Sequence, residues 1–202
     1  MGRPPARTID QATTERLLVA AERHFGREGF AAARLEDIAG DAGISRPSLL
    51  YHFKTKDDLY AAVVDRAFAR LGEALGAAMV TGGEFPDRLD ATIRRYLAFL
   101  DEQPQIAQIV LREFLSPSPA GRGLLMTQIR PLVDLIVRFI RVEGRGYVRP
   151  DLPLREAVLQ VGMGSLVRSA AGDLRGPLWG EQTEDDAARA ARILFLGGEV
   201  GR

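Results

Sequence analysis

The sequence predicts an all-α protein with about nine helices. Apolar residues recur at spacings of three and four in successive segments, which is typical of the buried face of a helix. No segment of useful length alternates apolar and polar residues as a half-buried strand does. Capping residues, glycines and prolines divide the chain into segments of ordinary helix length. We therefore expect helices packed against helices.

The composition is that of an ordinary globular chain. Of 202 residues, 46% are hydrophobic and 27% are charged, so the chain can bury a core. The formal net charge of zero excludes a histone-like polycation but leaves room for a local basic patch. The absence of cysteine excludes disulfides, thiolate metal sites and cysteine nucleophiles. There is no secretory signal and no long apolar run, so we expect a cytoplasmic protein with no membrane partner.

The first two predicted helices end at glycines. Residues 1–10 contain two prolines and few apolar residues, which predicts a flexible N-terminal arm. The apolar pattern then predicts a helix over 11–28, with Gly29 placed to end it. A second, short helix is predicted over 34–42. Gly43 follows at once and can take the left-handed conformation that closes a helix.

Two hydroxyl side chains mark the starts of the next helices. Ser45 is the predicted N-cap of a third helix over 46–52, whose first turn tolerates its proline. Thr55, with Asp58 three residues later, predicts a capping box. A long fourth helix follows and continues to about residue 79.

Glycine and proline separate the remaining helices. The segment 81–86 holds two glycines and a proline and is the strongest break in the first half of the chain. A Ser-Pro-Ser-Pro segment and a Gly-Pro-Leu-Trp-Gly segment give two later breaks. The further predicted helices cover residues 87–101, 104–115, 121–145, 154–173 and 183–198.

The second and third helices, with the tight turn between them, have the dimensions of a helix-turn-helix. Hydrogen-bonding side chains concentrate on the third helix, while its leucines can turn inward. Arg46 can fork onto O6 and N7 of guanine, so it is the predicted base reader. The other polar residues of this helix, predicted to hold phosphates, are Ser45, Ser48, Tyr51 and His52.

The only two lysines of the chain, Lys54 and Lys56, come directly after this helix. Their ammonium groups and the first backbone N–H groups of the fourth helix would meet one run of phosphates. For two of these residues the sequence leaves an alternative open. Lys56 is then only a solvated residue of the first helical turn, and Tyr51 is a half-buried core aromatic.

Residues 17–64 resemble the DNA-binding domain of the TetR family of bacterial transcriptional regulators. The residues that carry the resemblance are Ala21, Phe25, Gly29, Phe30, Ile38, Ala39, Gly43, Ile44, Ser45, Leu49, Tyr51, His52, Phe53, Lys56 and Leu59. The resemblance implies a DNA-binding domain over 11–71, with its helix-turn-helix at about 34–53, and a ligand-binding and dimerisation domain over 72–202. The predicted DNA-binding residues are Arg34, Ser45, Arg46, Pro47, Ser48, Tyr51, His52, Lys54 and Lys56.

The sequence departs from the family pattern at two places. The family usually has a threonine or serine near the start of the second helix, where this chain has Ala33 and Arg34. The cap is then lost, and Arg34 is left to contact phosphate. Leu50 stands where the family often has an aromatic residue that reaches the DNA backbone, and leucine cannot donate that hydrogen bond.

The C-terminal region carries candidate residues for an effector and for a second subunit. The pocket candidates are apolar residues and two arginines: Phe99, Arg112, Phe114, Met126, Phe139, Met163 and Arg168. The two arginines would meet an anionic ligand, or pair with nearby acids such as Glu113 or Asp134. In the family the last two helices pair with their twins, and the candidates here are Val158, Gly162, Ser165, Leu166, Ala187, Ala191 and Leu194. The alternative is that these faces pack only inside one subunit.

The sequence carries no pattern typical of catalysis or of cofactor binding. Two histidines are too few for the usual metal sites and triads. The glycine-rich fragments Gly144-Arg145-Gly146 and Gly162-Met163-Gly164 lack the spacing of a phosphate loop. We therefore expect no enzyme activity and no cofactor. The hypothesis is a homodimeric repressor on a palindromic double-stranded DNA operator, responsive to an unknown small-molecule effector. The alternatives are an activator with no such effector, and a helical small-molecule or protein-binding module that does not bind DNA.

Overall fold

The structure, a computed structural model, describes residues 6–180 and 184–197. Across these residues the regular elements are all helical, so the all-α prediction is confirmed. The α-helices are α1 (Ala6–Ala32), α2 (Leu35–Asp41), α3 (Arg46–His52), α4 (Lys56–Met79), α5 (Phe85–Glu102), α6 (Pro104–Leu115), α7 (Pro119–Leu124), α8 (Arg130–Glu143), α9 (Leu154–Ala170), α10 (Arg175–Trp179) and α11 (Glu184–Leu196). A π-helical turn (Leu125–Ile129) joins α7 to α8, and a 3₁₀ turn (Gly172–Leu174) precedes α10.

The first helix is longer than predicted. It begins at Ala6, so half of the predicted arm over 1–10 belongs to the helix, and residues 1–5 lie outside the described part of the chain. Gly29 takes a positive φ of 82° and interrupts α1 where the sequence predicted its end. One more turn follows the interruption, because the chain resumes helical geometry up to Ala32.

The helix predicted over 121–145 is two helices with a π-helical turn between them. Pro131 lies in the first turn of α8 and has no N–H to donate to the preceding turn. A π-helical turn accommodates such a gap because its hydrogen bonds span one residue more. The sequence prediction missed the interruption, since the apolar spacing continues through it.

The break predicted around residues 176–180 contains a short helix. Pro177 lies in the first turn of α10, where a missing N–H costs little, and Gly180 ends the helix with a φ of 70°. The preceding helix, α9, ends at Ala170 and so stops before the predicted residue 173. The last helix lies within the predicted range 183–198.

The first three helices form a unit on the N-terminal part of α4. Each contributes apolar side chains from the face that its spacing predicts as the inner one. The fully buried residues of this core include Leu17, Phe25, Ile38, Leu49 and Leu59.

A second core lies between the C-terminal part of α4 and helices α5, α6, α8, α9 and α11. The sixth helix touches both cores, because it packs against α1 and also against α9. Through α4 and α6, therefore, the second core contacts the first. Among the described residues, no helix combines the length and the apolar character that crossing a membrane requires.

Candidate nucleic-acid interface

Backbone hydrogen bonds close the turn between α2 and α3. Gly43 takes a φ of 72°, as the sequence predicted. The N–H of Ile44 donates to the carbonyl of Ala39 and the N–H of Gly43 donates to that of Gly40, each at 3.0 Å. These two bonds form a Schellman motif, which satisfies the last carbonyls of a helix. They fix the direction in which the chain enters α3.

The third helix begins at a capped turn. The hydroxyl of Ser45 accepts a hydrogen bond from the N–H of Ser48 at 3.3 Å, so the predicted N-cap is confirmed. Leu49 is fully buried and Leu50 is half-buried, and together they anchor the helix to the core. The exposed residues at this helix, which we name the α3 face, are Ser45, Arg46, Pro47, Ser48 and Tyr51. All of them are among the predicted DNA-binding residues.

On the α3 face, Arg46 is paired with an acid of α2. Its Nε lies 3.1 Å from Oε1 of Glu36, and the two side chains are 53% and 49% exposed. At this exposure the pair contributes less than about 1 kcal/mol to stability. The sequence did not predict Glu36 as a site residue, because only the geometry of the turn brings it to Arg46.

The aromatic pair at the end of α3 divides between solvent and core. Tyr51 is 82% exposed, and its ring stands edge-on to that of His52 with centroids 5.6 Å apart. Nδ1 of His52 lies 3.2 Å from the hydroxyl of Thr14 in α1. The alternative that Tyr51 is a half-buried core residue is therefore wrong, and His52 joins α3 to the first helix.

The two lysines have different surroundings. Lys54 is exposed just beyond α3. The Nζ of Lys56 donates to the carbonyl of Ala31 at 3.0 Å and lies 4.9 Å from the ring centroid of Phe30. Lys56 is thus not simply solvated, since it binds the end of α1 to the start of α4.

The caps of the neighbouring helices agree with the sequence analysis. Arg34 is the exposed N-cap residue of α2 and provides no side-chain cap. The predicted capping box of Thr55 and Asp58 is confirmed, because each side chain accepts from the backbone N–H of the other at 3.0 Å.

A buried histidine fixes α2 to the first helix. His24 is only 5% exposed, and its Nε2 lies 2.9 Å from Oδ2 of Asp41, the last residue of α2. Its Nδ1 lies 3.1 Å from Oε1 of Glu28. The sequence predicted a packing role for His24 and did not reveal this bridge, which joins residues far apart along the chain.

Two consecutive residues of α6 bind the predicted DNA-binding unit, one at α1 and the other at α4. Arg112 donates from Nη2 to the backbone carbonyls of Gly26 and Arg27, at 3.3 and 3.4 Å. The next residue, Glu113, is 2% exposed and accepts from the hydroxyl of Tyr60 in α4 at 2.7 Å. Burial first, and then this hydrogen bond, raise the pKa of Tyr60 above its ordinary value.

Glu113 also anchors the start of α7. The N–H and the hydroxyl of Ser118 donate to its two carboxylate oxygens, at 2.7 and 3.0 Å. A β carbon on Gly121 would overlap this carboxylate, so only glycine fits there. The buried charge therefore has three donors from two elements, as a buried carboxylate requires.

An apolar cavity of about 120 Å³ lies in the second core. Side chains of α4, α5, α6, α8, α9 and α11 form its wall, including Leu71, Ile93, Val110, Ile136 and Phe195. The polar side chains in the wall are satisfied inside the protein. The hydroxyl of Thr92 donates to the carbonyl of Arg88 at 2.7 Å, and that of Tyr96 donates to the carbonyl of Gly162 at 3.0 Å.

Some of the predicted pocket residues lie in this wall and others do not. Those in the wall are Phe99, Phe114, Phe139 and Met163. Arg112 is outside it because its guanidinium is used on α1, and Met126 is outside it because it is 55% exposed in the π-helical turn. Arg168 is buried but also lies outside the wall. The proposed salt bridges fail as well, since Glu113 binds Tyr60 and Asp134 pairs with Arg155.

The residues predicted for dimerisation point mainly into their own subunit. Val158, Gly162 and Leu166 line the cavity, and Ala191 is buried. Ser165, Ala187 and Leu194 are half-buried. The small side chains that suggested close packing between subunits instead allow α9 to approach α5. The uncharged outward residues are Gln160, Gly164 and Val167 in α9, and Ala190 and Ile193 in α11. The exposed charged residues of the same helices are Arg155, Glu156, Asp185, Arg189 and Arg192.

Comparisons with known proteins agree with this architecture. Residues 17–63 match the family model described as bacterial regulatory proteins, tetR family. The chain is 34% identical over 124 residues to the HTH-type transcriptional activator FasR of Mycolicibacterium smegmatis. That match covers 61% of this chain and 57% of the length of FasR, so it spans little more than half of either protein.

Three solved structures share the fold across nearly the whole chain. A TetR-like transcriptional regulator from Rhodococcus sp. RHA1 has a TM-score of 0.71 at 23% identity and covers 90% of this chain and 92% of its own. The fatty acid degradation regulator FadR from Bacillus halodurans has a TM-score of 0.72 at 15% identity, with 100% of both chains covered. The ketosteroid transcriptional regulator KstR2 of Mycobacterium tuberculosis has a TM-score of 0.73 at 20% identity and covers 91% of this chain and 94% of its own.

The family model falls on the helix-turn-helix unit, and the structural likeness extends over the cavity-bearing helices. Residues 17–63 therefore match the tetR family of bacterial regulatory proteins, and the chain as a whole shares the fold of solved structures of transcriptional regulators.

Proposed function

We propose that the chain is an effector-responsive transcriptional regulator that binds a palindromic operator as a homodimer. Each subunit places α3 in a major groove, with the two helices about 34 Å apart along one face of the duplex. Arg46 reads guanine, and the rest of the α3 face, with Arg34 and Lys54, holds phosphates. In this proposal residues 11–71, which include the helix-turn-helix and the first part of α4, bind DNA. The remainder, 72–202, binds the effector and the second subunit.

The effector response is inferred from three consecutive residues of α6, which contact both the cavity and the DNA-binding unit. Phe114 lines the cavity, while Glu113 and Arg112 bind α4 and α1 of the DNA-binding unit. A ligand that moves this part of α6 displaces both contacts. It changes the operator affinity only as far as it binds the two arrangements unequally.

The chemistry of the cavity supports a hydrophobic effector. Its wall is apolar apart from Thr92 and Tyr96, whose hydroxyls already donate to backbone carbonyls. Such a wall binds an acyl chain or a fused-ring lipid better than a polar metabolite, because it leaves polar ligand groups unpaired. Regulators of fatty acid degradation and of ketosteroids share the fold, which is consistent with a lipid-like effector.

The outward stripes of α9 and α11 are the proposed dimer surface. Val167 is 45% exposed and Ile193 is 50% exposed, and both are apolar. Gly164 and Ala190 beside them allow close approach of helix backbones. A four-helix bundle with the same stripes of a second copy would bury them.

Both repression and activation of transcription are compatible with this geometry. Bound across a promoter, the dimer is a repressor, as the sequence analysis hypothesised. The likeness to the activator FasR favours activation as the second candidate. Transcription from a promoter carrying the bound sequence, with the protein added or omitted, decides between them.

The test uses a duplex selected by the purified protein from a randomised library. We expect palmitic acid to change the affinity for that duplex at least fivefold, by a coupling of about 1 kcal/mol or more. Gly162→Leu fills the cavity and should abolish the response, because the space beside Gly162 holds only the Tyr96 hydroxyl at 3.9 Å. Gly76→Leu in α4, whose β carbon meets nothing within 4 Å, is the matched control. No response to palmitic acid or to a sterol ketone contradicts the proposal.

A further inference from the structure

Glu36 and Arg46 are ten residues apart in sequence and meet across the turn of the helix-turn-helix. Nε of Arg46 lies 3.1 Å from Oε1 of Glu36, so the two side chains form an ion pair. Glu36 lies in the first turn of α2, where the helix dipole favours an acid. Asp37 satisfies the same preference in the same turn and makes no ion pair within the described part of the chain. The dipole therefore does not explain why an acid faces Arg46.

We propose that Glu36 determines operator specificity by positioning Arg46. The carboxylate attracts the guanidinium from its Nε side. The terminal nitrogens are then presented to the guanine edge in one orientation. This inference rests on the proposed function, in which Arg46 is the base reader.

The donors of Arg46 are sufficient for both tasks. A guanidinium has five N–H groups, and Glu36 lies against the side of the group that carries Nε. The terminal nitrogens keep four, whereas O6 and N7 of guanine require two. A long side chain that is already held in place loses less conformational freedom when it binds a base, which increases affinity for the right sequence.

The same carboxylate opposes binding to the wrong sequence. It is about half exposed beside the α3 face, so its charge is repelled by the phosphates of any duplex. At an operator the oriented Arg46 offsets this repulsion through its contacts with guanine. At other sequences the contacts with guanine are missing, so the repulsion weakens binding there more, and the ratio of the two affinities rises.

The experiment compares affinities for the selected duplex and for a scrambled duplex of equal length. It uses the full-length protein and four variants: Glu36→Gln, Asp37→Asn, Arg46→Ala and the double variant Glu36→Gln/Arg46→Ala. Asp37→Asn removes an identical charge from the same helical turn, and it is therefore the matched control. Both acids are exposed, so these variants retain the fold.

We expect Glu36→Gln to raise the affinity for the scrambled duplex and to lower the ratio of operator to scrambled affinity roughly tenfold. Asp37→Asn should raise both affinities alike and leave the ratio unchanged. In the Arg46→Ala background, Glu36→Gln should no longer alter the ratio, because Glu36 acts through Arg46.

Two results overturn the inference, and they are distinguishable. If Arg46→Ala changes base preference while Glu36→Gln behaves like Asp37→Asn, Arg46 reads DNA without help from Glu36. If Glu36→Gln raises the ratio of operator to scrambled affinity, Glu36 also does not assist Arg46, because it then only competes with DNA for the guanidinium. If Arg46→Ala leaves base preference unchanged, the proposed readout itself fails and the role of Glu36 fails with it.

Discussion

The side chain of Arg112 occupies the space that a β carbon on Gly29 would need. A β carbon built on Gly29 lies 2.8 Å from Cδ of Arg112, closer than such contacts occur. Gly29 also has a φ of 82° and a ψ of 167°, a conformation that is essentially confined to glycine. One glycine thus lets α1 break and lets α6 dock on the break, where Arg112 reaches the carbonyl of Gly26.

Gly29→Ala should therefore destabilise the protein for two reasons, a strained backbone and a clash with Arg112. We expect a loss of about 1–3 kcal/mol in the free energy of unfolding. Gly72→Ala in α4 is the control, because its β carbon meets nothing within 4 Å and alanine favours the helix by up to about 1 kcal/mol. Urea unfolding of both variants measures the difference. Equal stability of the two would contradict the docking role of Gly29.

Tyr60→Phe should destabilise the contact between α4 and α6. It removes the hydroxyl that donates to the buried Glu113 at 2.7 Å and leaves that carboxylate with only the donors of Ser118. The loss of one hydrogen bond to a buried charged group costs about 1.5–3 kcal/mol. Tyr147→Phe is the matched control, because its hydroxyl bonds to Glu84 at 3.3 Å on the surface. Chemical denaturation should show a clear loss for Tyr60→Phe alone, and similar losses for both would argue against a buried anchor.

The two lysines should respond differently to replacement by alanine. Lys54→Ala removes an exposed charge beside α3, so it should weaken binding to all duplexes and reduce the salt slope by about one. Lys56→Ala removes the bond to Ala31 and the contact with Phe30, so it should lower stability by about 0.5–1.5 kcal/mol. Binding at several salt concentrations, with thermal melting, separates the effects. If Lys54→Ala and the parent chain show the same salt slope, Lys54 does not contact phosphate.

A charge on the outward stripe of α9 should prevent dimer formation. Val167→Glu places a carboxylate on the proposed interface, where burying it without a partner is costly. Val142→Glu on α8 is the control, because Val142 is 51% exposed and lies outside the proposed interface. Sedimentation equilibrium should give a monomer for Val167→Glu and a dimer for Val142→Glu. A dimer in both cases would place the interface elsewhere.

The elements with local signals were predictable from the sequence. Ser45, Gly43 and the capping box of Thr55 act within a few residues of themselves, so their effects follow from residue type and spacing. The interruption at Gly29 was placed correctly, although one more helical turn follows it. The π-helical turn was missed because apolar spacing continues through it.

The pairings between distant residues were not predictable in this way. Glu36 meets Arg46 only because the turn has a fixed geometry, and Arg112 meets Gly26 only because α6 returns to α1. Several of the dimer candidates face the core of their own subunit for a related reason. A stripe of small residues permits close packing on either side of a helix, and in α9 the stripe with Gly162 faces α5 within the subunit.

The central claim is that α3 reads DNA through Arg46, and base preference tests it most directly. The parent chain and Arg46→Ala should each be used to select duplexes from the same randomised library. We predict that the parent selects a palindrome with a guanine in each half-site, and that Arg46→Ala loses about 1–3 kcal/mol of discrimination at that guanine. If both proteins select the same sequence with the same affinity, Arg46 is not the base reader.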